Sequence, residues 1–516
     1  MRLVRMDPNS RQTNRRSCLL PELLTRAGVP AVDGGVISEV RVTGMTDDSR
    51  AVEPGFCFVA IRGVGRDGHA FIGEAAAKGA SAVIVEGRTG GLSGGTTIVR
   101  VADSRVALAK MTAAFYGLRG ASPAFPMIGV TGTNGKTTVA WLIRDIVAAA
   151  GFRAGLFGTV EYDLVGERRS APLTTPGAVE LCRNLSTARE AGARYAVMEV
   201  SSHALDQRRC DGLPFAAGIF TNLTGDHLDY HGTMEAYAAS KRRLFEMLPA
   251  TGKAILNRDD LRSGRMAQAC RCPVIWFGMD SPRLDVSARI VSMDRVGTCF
   301  ELHGKTFHRK LRTRLIGRHN VMNVLAAAAA TEALGISAEA ICAGLEKSAG
   351  APGRLQRVEP AGWPFSVFVD YAHTDDALAN VLEAVRPLTT GRLRCVFGCG
   401  GNRDASKRPR MAATAEKLAD DVYVTSDNPR TEDPQAIMEE ILAGFEDRGD
   451  SSVRVELNRR KAIEMAISDA GEGDTVLIAG KGHEKYQLVG NHVLAFDDVE
   501  AARECLSLQT VGERVA

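Results

Sequence analysis

Apolar and polar positions alternate along the chain in a way that predicts short buried strands separated by helices. Residues 127–130 and 195–200 form mainly apolar runs of strand length, and similar runs recur at 217–220, 254–256, 365–369, 393–397, 422–424 and 475–478. Between the first two runs, apolar residues follow the i, i+3, i+4 spacing of an amphipathic helix at Val139, Leu142, Ile143, Ile146 and Val147. Strands that alternate with helices are typical of α/β proteins with mainly parallel sheets, and we predict that fold class.

Two segments rich in glycine, proline and other small residues, at 117–126 and 348–353, interrupt this alternation. Such composition marks linkers between domains. Cutting the 516 residues there gives three pieces, each within the usual size range of a domain. We therefore predict domains at 1–122, 123–349 and 350–516.

The composition is that of an ordinary globular protein, with 45% hydrophobic and 24% charged residues and a net charge of +3. A charge so near balance gives no reason to expect a nucleic-acid partner. No run of about 18 apolar residues occurs, so we expect no membrane insertion. Residues 1–16 are basic but precede no apolar stretch of signal-peptide length, and we expect them to form a disordered extension.

The eleven cysteines include no CxxC pair and no recognisable disulfide framework. An odd number of scattered thiols is typical of a reducing compartment, so we expect a cytoplasmic protein. Cys270 and Cys272 lack the spacing and the partner pair of a zinc site, and we expect no structural metal there.

The strand at 127–130 runs directly into Thr-Gly-Thr-Asn-Gly-Lys-Thr-Thr (131–138), which opens the predicted helix. Backbone N–H groups of such a loop can surround a polyphosphate, and the helix N-terminus adds partial positive charge. Lys136 would neutralise the β- and γ-phosphates, and the Thr137 hydroxyl would bind Mg²⁺. The alternative is a glycine-rich turn that only caps a helix. We predict ATP as co-substrate and Mg²⁺ as cofactor, with nucleotide contacts from Gly132, Thr133, Asn134, Gly135, Lys136, Thr137 and Thr138.

Most unusual polar clusters stand at or just after the end of a predicted strand, where open parallel sheets bind ligands. Glu199 lies at the end of the strand at 195–200, and His227 follows the strand at 217–220. A magnesium ion that bridges phosphates takes one or two protein carboxylates and keeps several waters. We therefore predict Thr137, Glu199 and His227 as metal ligands. The alternative is that Glu199 and His227 are satisfied structural residues.

The loop at 131–138 is similar to the Thr-Gly-Thr-Asn-Gly-Lys-Thr form of the Mur ligases and the related folylpolyglutamate synthases, although Val130 replaces the first glycine of the strict phosphate-loop pattern. Matching motifs in all three pieces extend the resemblance over nearly the whole chain. It implies a uridine-nucleotide domain, a central phosphate-loop ATPase domain and a C-terminal Rossmann-like domain that delivers an amino acid. It also implies that ATP converts a carboxylate into an acyl phosphate, which an amine then attacks.

By the same resemblance, the catalytic residues are Lys136, Glu199, His227 and Lys241. Lys241 ends a Tyr-x-x-x-Lys segment (237–241), whose lysine is carbamylated in the family and becomes an anionic metal ligand. An unmodified lysine on a helix is the alternative. Asn320 is implied to lie near adenine and Asp370 near the ribose. Asp375 stands where proline is frequent in the family, so we expect the backbone of that turn to differ slightly.

The N-terminal piece resembles the uridine-nucleotide domain of Mur ligases that act third in the pathway, through the motifs at 47–50, 52–55 and 63–68. The resemblance implies that Ser49 and the loop at 63–66 contact uridine diphosphate. It further implies that the muramoyl-dipeptide is bound by Thr174, Thr175, Ser201, Gln207 and Arg209. Folylpolyglutamate synthases begin close to their phosphate loop, so a preceding piece of about 120 residues favours a Mur ligase.

Three motifs in the C-terminal piece are similar to those of diaminopimelate-adding Mur ligases: Gly-Gly-Asn-Arg-Asp (400–404, with Asn402 where aspartate is common), Asp-Asn-Pro-Arg (427–430) and Gly-Lys-Gly-His-Glu (480–484). Diaminopimelate differs from lysine by a carboxylate at its far end, which a planar guanidinium can pair bidentately. We predict Arg403 and Arg430 as the carboxylate clamps, with Gly480 and Glu484 at the distal amino centre. The remaining predicted contacts are Asp427, Asn428 and Pro429. The alternative for 427–430 is a plain turn with a surface arginine.

We therefore predict a monomeric, cytoplasmic ligase of peptidoglycan synthesis with three small-molecule partners: ATP, the UDP-N-acetylmuramoyl-dipeptide and meso-diaminopimelate. The predicted reaction joins meso-diaminopimelate to the γ-carboxylate of D-glutamate in UDP-N-acetylmuramoyl-L-alanyl-D-glutamate. Three alternatives remain open: the same reaction with L-lysine, another ligase of the same fold, and a nucleotide-binding sensor without turnover. The motif at 427–430 disfavours lysine, and the set of catalytic residues disfavours the sensor.

Overall fold

The computed structural model describes residues 16–33, 37–63, 65–87, 95–119, 125–281, 283–359, 362–447 and 451–512. The chain forms two compact units. The first comprises Met1–Phe125, Thr175–Ala191 and His203–Pro214, and the second Pro126–Thr174, Gly192–Ser202 and Phe215–Ala516. Three predicted features lie outside the described residues: positions 1–15 of the extension, Val64 of the uridine-nucleotide loop, and the cut between 122 and 123. The division into three domains stays a prediction.

The strands, in chain order, are β1 (Cys18–Leu19), β2 (Arg41–Val42), β3 (Gly44–Thr46), β4 (Phe56–Val59), β5 (Ala82–Val85), β6 (Thr97–Arg100), β7 (Met127–Thr131), β8 (Ala154–Phe157), β9 (Glu161–Asp163), β10 (Arg168–Ser170), β11 (Tyr195–Glu199), β12 (Phe215–Phe220), β13 (Lys253–Asn257), β14 (Val274–Gly278), β15 (Val286–Asp294), β16 (Gly297–His303), β17 (His308–Thr313), β18 (Gln356–Arg357), β19 (Ser366–Asp370), β20 (Leu393–Phe397), β21 (Asp421–Val424), β22 (Val453–Val455), β23 (Thr475–Ala479), β24 (Tyr486–Val489) and β25 (His492–Ala495).

The α-helices are α1 (Leu20–Ala27), α2 (Ile72–Ala77), α3 (Ser104–Phe115), α4 (Lys136–Ala149), α5 (Ala178–Glu190), α6 (Ser202–Asp206), α7 (Leu228–His231), α8 (Met234–Glu246), α9 (Ser263–Ala267), α10 (Arg318–Ala333), α11 (Ala338–Lys347), α12 (Asp375–Val385), α13 (Lys407–Leu418), α14 (Pro434–Leu442), α15 (Arg459–Ser468) and α16 (Asp498–Gly512).

The first unit is built on a parallel four-stranded sheet in the order β3-β4-β5-β6, with a short antiparallel pair of β1 and β2 beside α1. Its core is formed by apolar side chains of α1, α3 and the sheet, such as Leu23, Val59 and Leu108. Helix α5, which follows the phosphate-loop region in the sequence, packs against α3. This unit therefore includes more of the chain than the predicted N-terminal domain.

An eleven-stranded sheet in the order β10-β9-β8-β11-β7-β12-β13-β14-β15-β16-β17 runs through the second unit. Strand β7 lies between β11 and β12 and is parallel to both. The chain leaves β7 through α4 toward β8 on one side and later returns through β12 on the other. The carboxyl end of β7 is therefore a topological switch point, where open α/β sheets form their ligand crevice.

A second sheet of the same unit has the order β18-β19-β23-β20-β21-β22, and all of its strands except edge strand β18 are parallel. Helix α12 connects β19 to β20, and α13 connects β20 to β21, as in Rossmann-like folds. The hairpin of β24 and β25 follows, and an isolated bridge pairs Val489 of this hairpin with Arg430.

The predicted α/β class is confirmed, and each strand named from the sequence is present within about two residues of its predicted bounds. The five apolar residues predicted to share a helix face are all buried on α4. The antiparallel strands β15, β16 and β17 were not predicted. Among the described residues, every helix is too short or too polar to cross a lipid bilayer.

Candidate active site

The sequence motifs of the second unit meet at the carboxyl ends of its parallel strands. The phosphate loop follows β7, Glu199 ends β11, the segment 221–227 follows β12, and Asp370 ends β19. The motifs at 400–404, 427–430 and 480–484 follow β20, β21 and β23. Two cavities open along these ends, with volumes of about 760 Å³ and 900 Å³.

The smaller of the two, which we call the nucleotide cavity, is formed around the phosphate loop. The predicted ATP and metal residues that line it are Thr133, Asn134, Gly135, Lys136, Thr137, Thr138, Glu199, His227, Asn320 and Asp370. Gly132 and Lys241 lie behind this wall, where Lys241 Nζ donates to the Gly132 carbonyl oxygen at 2.8 Å. The structure therefore brings these predicted residues together.

The loop itself is held by residues that follow β12. The Asn134 N–H donates to Asn222 Oδ1 at 2.9 Å, and Thr221 Oγ1 donates to the Asn134 carbonyl at 2.6 Å. Gly135 has φ = 87°, and a Cβ there would lie 2.3 Å from Asn323 Oδ1, so only glycine fits. The loop is consequently shaped before any ligand binds.

Glu199 presents a fixed carboxylate beside this loop. It is 1% exposed, and its Oε2 accepts hydrogen bonds from Thr137 Oγ1 and Thr159 Oγ1, each at 3.0 Å. The backbone N–H of Thr159 donates to Oε1 at 2.8 Å. Thr159 was not predicted as a site residue, because its contact with Glu199 depends on the neighbouring strand β8.

This donor set fits Mg²⁺, which prefers hard oxygen ligands and keeps coordination positions for phosphate and water. The Thr137 hydroxyl and the Glu199 carboxylate supply such oxygens at the end of the phosphate loop. Among the described residues, no group of three or more His, Cys, Asp or Glu side chains could hold a metal alone. A cation at this place would therefore depend on the bound nucleotide for further ligands.

Lys241 is not on an exposed helix face; its residue is 1% exposed beneath the phosphate loop. Its Nζ and that of Lys136 donate to the same carbonyl oxygen, that of Gly132, at 2.8 and 3.0 Å. Burial, with the Lys136 charge adding to it, lowers the pKa of Lys241 well below its usual value. Burial also lowers the pKa of Lys136. Two positive charges here are unfavourable without an anion.

Asp226, His227 and His373 line both cavities. His227 has φ = 56° and its Nε2 lies 3.5 Å from Asp226 Oδ2. Burial raises the pKa of Asp226, but the neighbouring His227 and His373 outweigh it and the net shift is downward. Burial lowers the pKa of His373 to about 4. These shifts favour an anionic Asp226 and a neutral His373, both of which line the two cavities.

Asn320 and Asp370 also line the nucleotide cavity. The Asn320 amide donates to the Ile316 carbonyl at 2.8 Å. Asp370 accepts from the backbone N–H groups of Leu355 and Ala372, at 2.5 and 2.7 Å. This carboxylate therefore anchors the segment before β18 as well as the wall of the cavity.

Arg354, which directly follows the segment interpreted from sequence as a linker, also lines the nucleotide cavity. Its Nη2 donates to Thr137 Oγ1 at 3.1 Å, and its guanidinium lies over the Tyr371 ring at 4.5 Å from the centroid. Its Nε is buried without a hydrogen-bond partner among the described residues. This arginine was not predicted as a site residue, because the small residues that precede it indicated only a linker.

The larger cavity, which we call the C-terminal cavity, is lined by Arg403, Asp427, Asn428, Arg430, Gly480 and Glu484. Pro429 is buried but is not part of the lining, so its place is in the backbone of the turn. Six of the seven residues predicted to bind diaminopimelate thus surround one space.

The turn at 427–430 is not a plain surface turn. Arg430 has φ = 54°, is half-buried, and its Nη1 donates to the Gly401 carbonyl at 2.7 Å. Its backbone N–H donates to the Leu488 carbonyl at 3.0 Å, so the hairpin of β24 and β25 fixes the turn. Arg403 is exposed at the rim of the cavity. Asn402, with φ = 52°, accepts from the Thr431 hydroxyl at 2.8 Å.

The two cavities share part of their lining: Thr159, Thr174, Asp226, His227, Tyr371 and His373. An acid group held at this shared wall would face the phosphate loop on one side and the arginines on the other. The arrangement can therefore transfer a phosphoryl group to the acid and admit a nucleophile from the opposite side.

The residues predicted to bind the uridine precursor are divided between the units. Within the first unit, Arg209 donates from Nη1 to the Thr175 carbonyl and from Nη2 to Gln207 Oε1, each at 2.7 Å. Ser49 Oγ donates to Glu74 Oε2 at 3.1 Å in the same unit. Within the second unit, Thr174 Oγ1 lies 3.1 Å from Thr159 Oγ1, and Ser201 follows β11.

Three family models match the chain. The Mur ligase family catalytic domain matches residues 41–116, the Mur ligase middle domain 130–331, and the Mur ligase glutamate ligase domain 353–482. Together they cover most of the residues that line the two cavities and much of the first unit.

Individual relatives extend the similarity over nearly the whole chain. A UDP-N-acetylmuramoyl-L-alanyl-D-glutamate–2,6-diaminopimelate ligase of Gloeobacter violaceus is 42% identical over 488 residues, covering 95% of this chain and 98% of the relative. A solved structure with the same enzyme name is 34% identical, covers 91% of this chain and 95% of its own, and has a TM-score of 0.66. The MurF ligase of Thermotoga maritima in complex with ADP shares the fold at 19% identity, with a TM-score of 0.60 and coverage of 92% and 98%. The chain therefore belongs to the Mur ligase family, whose members are ATP-dependent amide-bond-forming ligases.

Proposed function

We propose that this protein joins meso-diaminopimelate to the γ-carboxylate of D-glutamate in UDP-N-acetylmuramoyl-L-alanyl-D-glutamate, with ATP converted to ADP and phosphate. The relative from Gloeobacter violaceus is named for this activity, and its similarity to this chain extends over 98% of its length. The observation that carries the proposal is the pair of adjoining cavities. One is built on a phosphate loop, and the lining of the other includes Arg403, Arg430, Asp427 and Glu484.

The residues of the nucleotide cavity suit phosphoryl transfer to the glutamate carboxylate. A triphosphate in the loop would raise the pKa of Lys136 and so oppose the lowering that burial causes. The buried Nε of Arg354 has a hydrogen bond left to donate to a phosphate oxygen. These donors stabilise the charge on the transferred phosphoryl group. The resulting acyl phosphate loses phosphate when an amine attacks, and the amide bond forms.

We assign a Mg²⁺ site to Thr137, Glu199 and His227. When bound, the ion would act as a Lewis acid that neutralises charge on the phosphates. Thr159 fixes both oxygens of Glu199, so that the carboxylate keeps one orientation. Glu199 thereby contributes a preformed ligand rather than one that must reorganise.

We further propose that Lys241 is carbamylated. Carbamylation requires a neutral amine, and the lowered pKa of Lys241 makes that form available. The product is an anion next to Lys136, and it removes the repulsion between two ammonium groups that share the Gly132 carbonyl. A carbamate oxygen could also join the metal ligands.

For the precursor, we propose contacts with uridine diphosphate from Ser49 and with the muramoyl-dipeptide from Thr174, Thr175, Ser201, Gln207 and Arg209. Asp47 precedes Ser49; burial raises its pKa, while the charges of Arg105 and Arg209 oppose that rise. The first unit thus has cations close to the predicted uridine-nucleotide motif. We place the reaction in the cytoplasm, where ATP is made, and propose that the protein acts as a monomer.

For the amino acid, we propose that Arg403 and Arg430 bind the distal carboxylate and that Asp427, Asn428, Gly480 and Glu484 bind the distal amino centre. L-Lysine has the amino group but not the carboxylate, so it would leave both arginines without an anion. That difference favours diaminopimelate, because a site built for a charged group rejects a ligand that lacks it.

A phosphate-release assay offered each amino acid in turn tests the proposal, using wild-type protein, Arg430→Lys and a control, Arg460→Lys. Arg460 is an exposed arginine paired with Glu504 on the surface. We expect wild-type protein to use diaminopimelate over lysine, and Arg430→Lys to lose on the order of 10- to 100-fold in kcat/KM, because an ammonium cannot replace a planar two-donor contact. Arg460→Lys should match wild type. Preference for lysine, or full activity of Arg430→Lys, would reject this assignment.

A further inference from the structure

Lys481 lies beneath the C-terminal cavity, within the motif at 480–484. Its residue is 0% exposed, and its Nζ lies 3.1 Å from Asn428 Oδ1 and 3.3 Å from both Asp427 Oδ1 and Glu484 Oε2. An ammonium group has three N–H donors, and three acceptors surround this one. Lys481 therefore has no donor left for a bound ligand and can act only through its neighbours.

Lys481 and the backbone N–H of Leu488 together determine which way the Asn428 amide points. Asn428 Oδ1 accepts from Lys481 and from the Leu488 N–H at 2.9 Å, and Asn428 Nδ2 donates to Glu484 Oε2 at 2.8 Å. Because an ammonium only donates, the amide oxygen must face Lys481 and the amide nitrogen must face Glu484. The buried cation thus contacts both an amide and a carboxylate that line the cavity, and it shares the amide oxygen with the Leu488 N–H.

Lys481 also sets the charge of this wall. Asp427 and Glu484 would carry two negative charges side by side, and the Lys481 ammonium reduces the sum to one. The next buried cation, Arg459, is already paired with Asp498 through both Nε and Nη2, at 2.7 Å each. Two adjacent buried carboxylates without a cation would not both stay ionised, since one would take up a proton.

We propose that Lys481 is the positioning residue of the amino-acid site: its buried ammonium holds Asp427, Asn428 and Glu484 in the one arrangement that accepts the substrate's ammonium group. The inference rests on the proposed function for the nature of the ligand, but not on which amino acid is used. It predicts a defect confined to amino-acid binding, whereas a buried ion pair needed only for folding would affect all substrates together.

The test compares wild type with Lys481→Met, which keeps an unbranched side chain of nearly the same length and removes its charge. Lys417→Met is the control, because Lys417 is an exposed lysine on α13. We measure kcat and KM for ATP and for whichever amino acid wild type uses, across pH. For Lys481→Met we expect the amino-acid KM to rise about tenfold or more, since a buried acceptor set loses its donor. The KM for ATP should stay within about twofold.

The pH profile gives a second readout. Burial raises the pKa of Glu484, and the Lys481 charge lowers it. Removing that charge raises the pKa further, so the acidic limb of kcat/KM for the amino acid should move to higher pH. The other titratable groups whose charges interact with Glu484 are Asp427, Arg459, Tyr371 and Tyr486. An unchanged amino-acid KM, or an equal rise for ATP, would overturn the proposal.

Glu484→Gln and the double variant Lys481→Met/Glu484→Gln keep the test decisive if Lys481→Met does not fold. Removing both charges eliminates the Lys481–Glu484 pair and leaves neither of its two members as an unpaired charge. If Lys481 acts through Glu484, the double variant should have the same amino-acid KM as Glu484→Gln within about twofold. If the effects of the two substitutions on the amino-acid KM were additive, Lys481 would not act through Glu484. Use of lysine by wild type would reject the proposed substrate alone, whereas no use of any amino acid would reject both proposals.

Discussion

Glu199 keeps its position because a glycine lies against it. Three hydrogen bonds from Thr137 and Thr159 hold its carboxylate, and the backbone of Gly158 passes directly beside it. A Cβ at Gly158 would lie 2.2 Å from Glu199 Oε1, closer than any real contact. The space that a missing side chain leaves is therefore part of the proposed metal site.

We predict that Gly158→Ala displaces the Glu199 carboxylate and lowers kcat on the order of 10²-fold, the cost of shifting a catalytic group by about 1 Å. Gly264→Ala is the control, because a Cβ on that helical glycine meets nothing within 4 Å. Steady-state kinetics with saturating substrates, together with a melting curve, distinguish lost catalysis from lost folding. A Gly158→Ala enzyme with wild-type kcat would contradict this account of Glu199.

Residues were predictable where one short motif carries both the chemistry and its position. The phosphate loop and the turn at 427–430 follow strands that the apolar pattern locates, and Glu199 ends another such strand. Arg354 and Thr159 were missed because their roles depend on distant contacts. Arg354 lies 217 positions from Thr137, the hydroxyl it contacts. The burial of Lys481 and Lys241 could not be predicted either, because nothing in the neighbouring sequence indicates that these side chains are buried.

At the scale of elements, continuous apolar runs were reliable because parallel strands are buried on both faces. Strands β15 and β17 carry exposed Arg, Lys and His residues instead, and their pairing is antiparallel at the edge of the sheet. An edge strand with a solvated face lacks the apolar run on which the prediction depended. The placement of α5 against α3 was unpredictable for a different reason, since it joins segments far apart in sequence.

Helix α12 explains how Asp375 replaces the proline frequent in the family. Thr374 is the N-cap, with extended backbone at φ = −128° and ψ = 157°, and its side chain accepts from the Ala377 N–H. Asp375 is the first helical residue, where proline is well tolerated and where an acidic side chain favours the helix dipole. The residue before proline prefers this same extended conformation. The turn accommodates either residue.

We therefore predict that Asp375→Pro changes stability by less than about 1 kcal/mol, because it removes only a surface pair with Arg410. Thr374→Ala should cost about 1 kcal/mol through loss of the cap. Denaturant titrations of both variants beside wild type measure the difference. Strong destabilisation by Asp375→Pro would mean that this turn cannot take proline.

At the scale of the whole second unit, the nucleotide cavity has walls from both sheets, so activity depends on how they are held together. Asp376 on α12 makes the link: its Oδ2 accepts from Asn134 Nδ2 of the phosphate loop at 2.8 Å and from Thr224 Oγ1 at 3.0 Å. Burial raises the pKa of Asp376, and these two hydrogen bonds oppose the rise. The carboxylate thus joins the helix that follows β19 to the phosphate loop after β7.

We predict that Asp376→Ala raises the KM for ATP by about threefold to thirtyfold, because Asn134 of the phosphate loop and Thr224 lose hydrogen bonds to a charged group that help to hold the conformation of the loop. The KM for the amino acid should change by less than about twofold, because the C-terminal cavity keeps its own contacts. Asp375→Ala is a matched control: it removes the adjacent carboxylate from the same helical turn, and with it a similar share of the helix-dipole interaction. Initial rates at varied ATP decide the matter. If the two alanine variants share one KM for ATP, Asp376 does not couple the sheets, and the loop must be ordered by Asn222 and Thr221 alone.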